Sequence, residues 1–300
     1  MSTLLQLSDG LAGVVDAVGP SVVRVEGRSH LPSSGIVWSA DGLVVTASHT
    51  VELDEHLRVG LADGRTVPAT LAGRDPTTDV AVLRVDSAGL RIAEWDDASR
   101  ARAGQLAVSL GRPGRTIRAA LGMLGAVAET WQAPTGARLD RYLQIDTPAP
   151  RGFSGGPLVT VDGRLLGMNT SRLLRGTTIA LPAATLHRVV GALVAHGRIR
   201  RGYLGIGAHP VRLPAGARQE FGQEAGLLVV SVEQASPAER AGIYLGDVIV
   251  GLDGTSVRSF RDLAGALAED RIGANVVLRV LRAGAAHDVT ALIGEREARS

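Results

Sequence analysis

The sequence predicts a mostly β chain of two domains, and three observations carry that reading. Apolar runs are punctuated by Asp-Gly at Asp41-Gly42, Asp63-Gly64 and Asp162-Gly163. Asp-Gly between such runs is the strongest short-range hairpin signal, because both positions tolerate positive φ. Few stretches carry helical spacing, and repeated hairpins with so little helix indicate an antiparallel sandwich or barrel. The 300 residues exceed what one core usually spans. Around His196-Gly197-Arg198-Ile199-Arg200-Arg201-Gly202 the apolar pattern gives way to charge and glycine, which reads as a linker. The domains are placed at 1–198 and 199–296.

In chain order, the apolar spacing from Leu11 to Val18 suits a short helix that Gly19-Pro20 ends. Val23 and Val25 alternate with Arg24 and Glu26, a half-buried strand. Two apolar runs joined at Asp41-Gly42 form a hairpin from Gly35 to Thr46. Beyond the linker, Ser259 with Asp262 three residues later is a capping box, and Phe260, Leu263 and Leu267 mark one face of the helix it starts. Val276, Leu278 and Val280 alternate with Val277, Arg279 and Leu281 in a closing strand.

Composition removes several classes of function. The chain is 45% apolar and 21% charged, an ordinary globular balance. Its 32 basic residues are all arginine and its net charge is +2, so no basic block or aromatic-rich strand points to nucleic acid. Zero cysteines exclude a disulfide scaffold, a thiol nucleophile and thiolate metal sites. His30, His56, His187, His196, His209 and His287 are scattered without metal-ligand spacing, so no metal and no other cofactor is expected. No apolar run of about 18 residues would span a bilayer. The first ten residues lack a basic segment followed by an apolar core, so a cytoplasmic location is expected, with a periplasmic or extracellular one if the start is misassigned.

The stretch Arg151-Gly152-Phe153-Ser154-Gly155-Gly156-Pro157-Leu158 is poorly explained by packing. A serine among glycines presents an exposed hydroxyl, and the amides of Gly152 and Ser154 form a donor pair suited to a developing oxyanion. The competing reading is a glycine-rich hairpin turn. His49, in Thr46-Ala47-Ser48-His49-Thr50-Val51, stands at a strand end, and Asp79, in Arg74-Asp75-Pro76-Thr77-Thr78-Asp79-Val80, at the mouth of another strand. Each alone has a plain structural explanation, as a satisfied polar residue or a turn residue. In the order His, Asp, Ser, each at a strand or loop edge, they reinforce one another.

These three motifs resemble those of trypsin-like serine proteases of the HtrA/Deg family, and the resemblance runs from Val22 to about Leu292. It implies a chymotrypsin-like double β-barrel followed by a smaller α+β PDZ domain. It makes His49 the general base, Asp79 its orienter and Ser154 the nucleophile, with Gly152 and Ser154 as the oxyanion hole. The chemistry needs these types because a serine hydroxyl is too weakly acidic to attack an amide unless an imidazole takes its proton. The resemblance also maps to Thr170 the hydroxyl that braces the aspartate. Just before the serine stands Phe153, where the family usually has asparagine. It either makes the oxyanion loop apolar and gated, holds it in a resting form, or packs beneath it. The pocket is assigned to Pro148, Ala149, Asn169 and Thr170, and Asp146 to a structural role. With Pro148 where an acid would select basic side chains, a small or medium apolar residue is expected before the cut.

The second domain resembles a PDZ module, in which the loop Tyr203-Leu204-Gly205-Ile206 takes a peptide carboxylate on its backbone amides, with Arg201 adding charge attraction. The alternative is a small β-rich module whose groove is a packing seam or is blocked by the protease domain. The resemblance therefore implies an ATP-independent serine endopeptidase acting on unfolded or misfolded polypeptides by an acyl-enzyme mechanism, with exposed C-terminal peptides held by the PDZ domain. The rivals are a catalytically weak or latent protease-fold chaperone or peptide-binding scaffold, and a processing protease of few substrates. Family members form homotrimers through N-terminal aromatic residues. No aromatic residue precedes Trp38, which leaves Leu11–Val18 as the substitute contact.

Overall fold

In the computed structural model, residues 2–53, 55–87, 89–200, 202–267 and 271–295 are described. The chain divides into two compact units, Met1–Ile199 and Arg200–Ser300. The first unit holds two closed barrels of six strands each. One barrel runs in spatial order Val22–Glu26, Ser33–Val37, Leu43–Ala47, Val80–Val85, Thr66–Asp75, Arg58–Gly60. The other runs Tyr142–Ile145, Thr178–Pro182, Leu165–Thr170, Pro157–Thr160, Leu106–Gly111, Arg118–Ala128. One apolar core is shared by both: Ile36, Val45 and Val82 of the first barrel lie in the same cluster as Leu110, Met168 and Leu181 of the second. Burying apolar surface from both sides of the seam stabilises the barrels as one body.

The Asp-Gly hairpins form, with turns longer than the two-residue type the dipeptide suggests. At Asp63-Gly64, Leu61 donates to Arg65 O (2.8 Å) across a three-residue loop, and at Asp162-Gly163 Thr160 does the same to Arg164 O (2.9 Å). Only the glycines take positive φ, +91° and +89°. That is a type I turn closed by a left-handed glycine, which leaves aspartate in ordinary space.

The N-terminal helix is longer than Leu11–Val18. It spans Thr3–Val18, because Ser2 caps it and accepts the Leu5 amide. Val14 and Val18 are buried, and Leu11 and Val15 pack on the shared core, so Leu11–Val18 faces its own barrels and is not a free contact for other copies; Leu4, Leu5 and Leu7 are exposed. A second helix, Ala183–His196, escaped the sequence reading. It lays Leu186, Val189, Val190 and Leu193 onto the shared core and ends at Gly197, whose φ is +71°.

The second unit carries a sheet in the order Ile206–Arg212, Ala225–Val232, Val248–Leu252, Asn275–Arg282, Ala285–Leu292. Val276, Leu278 and Val280 are fully buried, as their alternation requires. The helix Phe260–Ala266 starts at the Ser259/Asp262 capping box. Of its expected apolar face Leu263 is buried, whereas Phe260 is half exposed at the first helical position and Leu267 is the C-cap.

Candidate active site

The register Ala47↔Val80 brings the end of one strand against the start of the next, so the turn Ser48–Thr50 abuts Asp79. Ser48 N–H donates to Asp79 O (3.1 Å) and His49 N–H to Asp79 Oδ1 (2.8 Å). His49 Nδ1 lies 2.8 Å from Asp79 Oδ2, and the Thr170 hydroxyl donates to the same oxygen. An ionised carboxylate only accepts, so Nδ1 carries the proton of the neutral ring and Nε2 keeps its lone pair. Asp79 is 1% exposed and has φ +61°, a left-handed conformation that aspartate tolerates better than a bulkier residue. Asp75 shapes the approach: its carboxylate accepts Thr77 N (3.2 Å), Thr78 N (3.0 Å) and Thr78 Oγ1 (2.7 Å). This side-chain turn aims Asp79 at the histidine.

Ser154 sits in a loop of glycines. Phe153 N–H donates to Pro150 O (3.1 Å), Gly155 N–H to Asn169 O (2.9 Å) and Gly156 N–H to Phe153 O (2.9 Å). Gly155 has φ +86°, and a Cβ there would stand 2.1 Å from Ser34 O, so no side chain fits. The amides of Gly152 and Ser154 find no acceptor among the described residues. Two uncommitted donors beside a nucleophile are what a developing oxyanion requires. The Ser154 hydroxyl lies 3.4 Å from Ser171 Oγ. Among the described residues it makes no hydrogen bond to His49. Phe153 is 1% exposed beneath the loop, and a Cβ on Gly111 would meet its ring at 2.9 Å. Of the alternatives for Phe153, packing under the loop is the one its placement matches.

In the second unit, Gly205 has φ +80°, and a Cβ there would stand 2.3 Å from Ser236 Cβ. The carbonyls of Leu204 and Gly205 accept Ala238 N and Glu233 N, both at 2.8 Å, while their own amides find no acceptor among the described residues. Tyr203 pairs with Gly294, and Ile206 opens the strand Ile206–Arg212 at the edge of the sheet. Arg201 lies outside the described residues. No metal-binding group of three or more His, Asp or Glu side chains occurs among the described residues.

The trypsin-like peptidase domain family matches residues 33–168, and the PDZ domain family matches residues 202–293. A probable periplasmic serine endoprotease DegP-like of Brucella suis is 33% identical over 270 residues, which cover 87% of this chain and 52% of the relative. Its counterpart in Rhizobium meliloti is 33% identical over 290 residues, 93% of this chain and 56% of the relative. Among solved structures, HtrA-type protease AlgW with decapeptide is 27% identical with TM-score 0.78, covering 96% of this chain and 99% of that one. The serine endoprotease from Yersinia pestis is 28% identical with TM-score 0.76, at 96% and 98% coverage. The chain belongs to the HtrA/Deg family. It spans about half the length of the curated relatives it matches.

In this HtrA/Deg chain two of the four expected pocket residues are placed elsewhere. Asn169 is fully buried with its side-chain amide on Pro157 O (3.0 Å), and Thr170, 1% exposed, is committed to Asp79. Both frame the loop from behind and do not line an open pocket. Pro148 is exposed, and Ala149, half-buried, donates its amide to Thr178 Oγ1 (2.7 Å). Asp146 is exposed and accepts the Met123 amide (3.0 Å), which ties two strands together. The sequence reading missed Asp75, Ser34 and Ser171. For Asp75 a signal existed, since an aspartate followed by Pro-Thr-Thr is a side-chain turn former. Ser34 and Ser171 had none, because what they touch lies far away in the chain.

Proposed function

We propose that this chain is a serine endopeptidase that cleaves unfolded or misfolded polypeptides without ATP, through an acyl-enzyme. His49 takes the Ser154 proton as the hydroxyl attacks the peptide carbonyl, and returns it to the leaving amine. Asp79 holds the tautomer and stabilises the imidazolium, while Thr170 holds Asp79. The amides of Gly152 and Ser154 receive the oxyanion, at about 3–4 kcal/mol for one such donor. The observation that carries the reading is the coupled set Thr170–Asp79–His49 together with a serine loop that carries two uncommitted amides. Pro148 and Ala149 offer no charge to a basic side chain, which favours a small or medium apolar residue before the cut.

The PDZ domain would take the C-terminus of a peptide on the amides of Leu204 and Gly205 while the peptide adds to the edge strand Ile206–Arg212. The similar HtrA-type protease AlgW is known with a decapeptide and with a tripeptide, which supports this reading. The curated relatives are named periplasmic, so we place the protein in the exported alternative in preference to the cytoplasm. A homotrimer is retained as the proposed assembly, with the exposed Leu4, Leu5 and Leu7 in place of Leu11–Val18.

The test is cleavage of fluorescently labelled casein by the wild type and Ser154→Ala, with a fluorophosphonate probe as a second readout. Loss of both signals in the variant alone supports the endopeptidase. A well-folded wild type that binds peptides but neither cleaves nor labels would make it a latent scaffold.

A further inference from the structure

The serine loop is supplied by the second barrel, yet one of the groups that hold its backbone comes from the first. Ser34 lies fully buried in the strand Ser33–Val37, 118 residues before Gly152. Its hydroxyl donates to Gly152 O at 2.7 Å, and its amide donates to Ser154 O at 3.2 Å. Gly152 O belongs to the peptide unit joining residues 152 and 153, and Ser154 O to the unit joining 154 and 155. Between them stands the unit that carries the Ser154 N–H, and directly before them the unit that carries the Gly152 N–H. One residue therefore grips the backbone on both sides of the Ser154 donor and directly after the Gly152 donor. At Gly152 no side chain restricts the torsions, so a bond to its carbonyl decides which way the unit turns.

Ser34 is itself held without slack. Its single proton goes to Gly152 O, so its lone pair accepts the Arg112 amide at 2.8 Å, and its carbonyl accepts Thr46 Oγ1 at 2.7 Å. Arg112 is anchored by three carbonyls: Nε to Val22 O (2.7 Å), and the terminal nitrogens to Arg115 O and Gly19 O (both 2.9 Å). Burial pushes the guanidinium below the ordinary arginine pKa. It stays a cation nonetheless, since arginine is effectively always protonated.

We infer that Ser34 is a positioning residue of the oxyanion hole, which sets the direction of the Gly152 and Ser154 amides from the opposite barrel. The inference rests on the endopeptidase reading, because a hole with no reaction needs no positioning. Removing the hydroxyl leaves Gly152 O and Arg112 N–H unpaired and frees the loop to turn. Substrate binding elsewhere in the cleft is untouched, so the loss falls on the chemical step.

The experiment compares wild type, Ser34→Ala and Ser34→Cys in casein cleavage, fluorophosphonate labelling and hydrogen exchange of the peptide covering residues 150–156, with thermal melting as the check on folding. For Ser34→Ala the expected result is a kcat and labelling rate about ten- to hundred-fold lower, KM within twofold of wild type, and faster exchange at Phe153 and Gly156. Ser34→Cys, which keeps a weak donor, should fall between. A folded Ser34→Ala with unchanged kcat and unchanged loop exchange overturns the inference. If the alanine variant does not fold, the cysteine variant is judged by the same measures. If wild type itself neither cleaves nor labels, the endopeptidase reading fails separately, and loop exchange alone decides whether Ser34 holds the loop.

Discussion

Phe153 lies buried beneath the serine loop, and a double-mutant cycle with Gly111 tests what it does there. The ring is 1% exposed, and two of its carbons lie 2.9 Å from where a Gly111 Cβ would be. Phe153→Ala removes a fully buried phenyl group, which costs about 3–5 kcal/mol in comparable cores. At about 2–4 °C per kcal/mol for a unit this size, Tm falls by about 6–20 °C. Gly111→Ala alone forces a methyl group into the ring and costs about 1–3 kcal/mol. In the Phe153→Ala background that methyl enters vacated space, with Ser34 Oγ at 3.0 Å as its remaining close neighbour, so much of its cost disappears. The two changes should therefore couple by about 1–2 kcal/mol. Trp38, Trp95 and Trp131 all lie in the first unit, so tryptophan fluorescence follows the unfolding of that unit alone. Additivity to within about 0.5 kcal/mol would refute the claim that ring and glycine are one packing feature. A folded Phe153→Ala that keeps full fluorophosphonate reactivity would refute the claim that the ring supports the loop.

Three further outcomes are expected. Thr170→Val keeps the shape and removes the donor to Asp79, so kcat on casein should fall about tenfold, a loss of about 1–2 kcal/mol, with KM little changed. Gly205→Ala places a methyl 2.3 Å from Ser236 Cβ at a φ of +80°, and should abolish binding of C-terminal peptides in a titration while casein-independent fluorophosphonate labelling persists. In the PDZ unit, Asp247, 1% exposed, pairs with Arg282 through both oxygens at 2.8 and 2.7 Å. Burial alone would raise its pKa, but the Arg282 hydrogen bonds and the Tyr244 amide outweigh it and hold the carboxyl below its ordinary value. A depressed carboxylate stabilises the fold above its unfolded pKa of about 3.9, and that stability is lost as pH falls through the folded value. Asp247→Asn should cost about 1–3 kcal/mol at pH 7, with the gap to wild type closing below about pH 4 in denaturant titrations.

The catalytic candidates were legible because each is bound up with a local pattern. His49 follows a strand that ends in small residues, Asp79 follows a turn former, and Ser154 is framed by three nearby glycines. What could not be read depends on contacts across the chain. Thr170 is 91 residues from Asp79, and its bond there was expected from the family resemblance alone, since no local pattern shows it. Asn169 and Thr170 were both assigned to the pocket, whereas a strand that is buried along its whole length leaves no face open to the cleft. The helix Ala183–His196 was missed because β-branched Val189 and Val190 and a central Gly191 are weak helix formers; its stability comes from the shared core.

The two halves of the site are ordered by different means. The His49–Asp79 pair is set mainly within one barrel, by the register of two neighbouring strands and the Asp75 turn, with Thr170 of the second barrel as one further donor to Asp79. The Ser154 loop is held from both barrels: Ser34 of the first binds its backbone, while Asn169 O accepts Gly155 N–H and the Phe153 ring packs on Gly111 within its own barrel. Its glycines make that dependence unavoidable, because backbone with so little steric restriction takes its conformation from its neighbours. The shared core therefore carries a chemical consequence beyond stability. A small shift at the seam would leave acid and base paired while turning the oxyanion amides away, so the serine side is where activity is most sensitive to how the barrels meet.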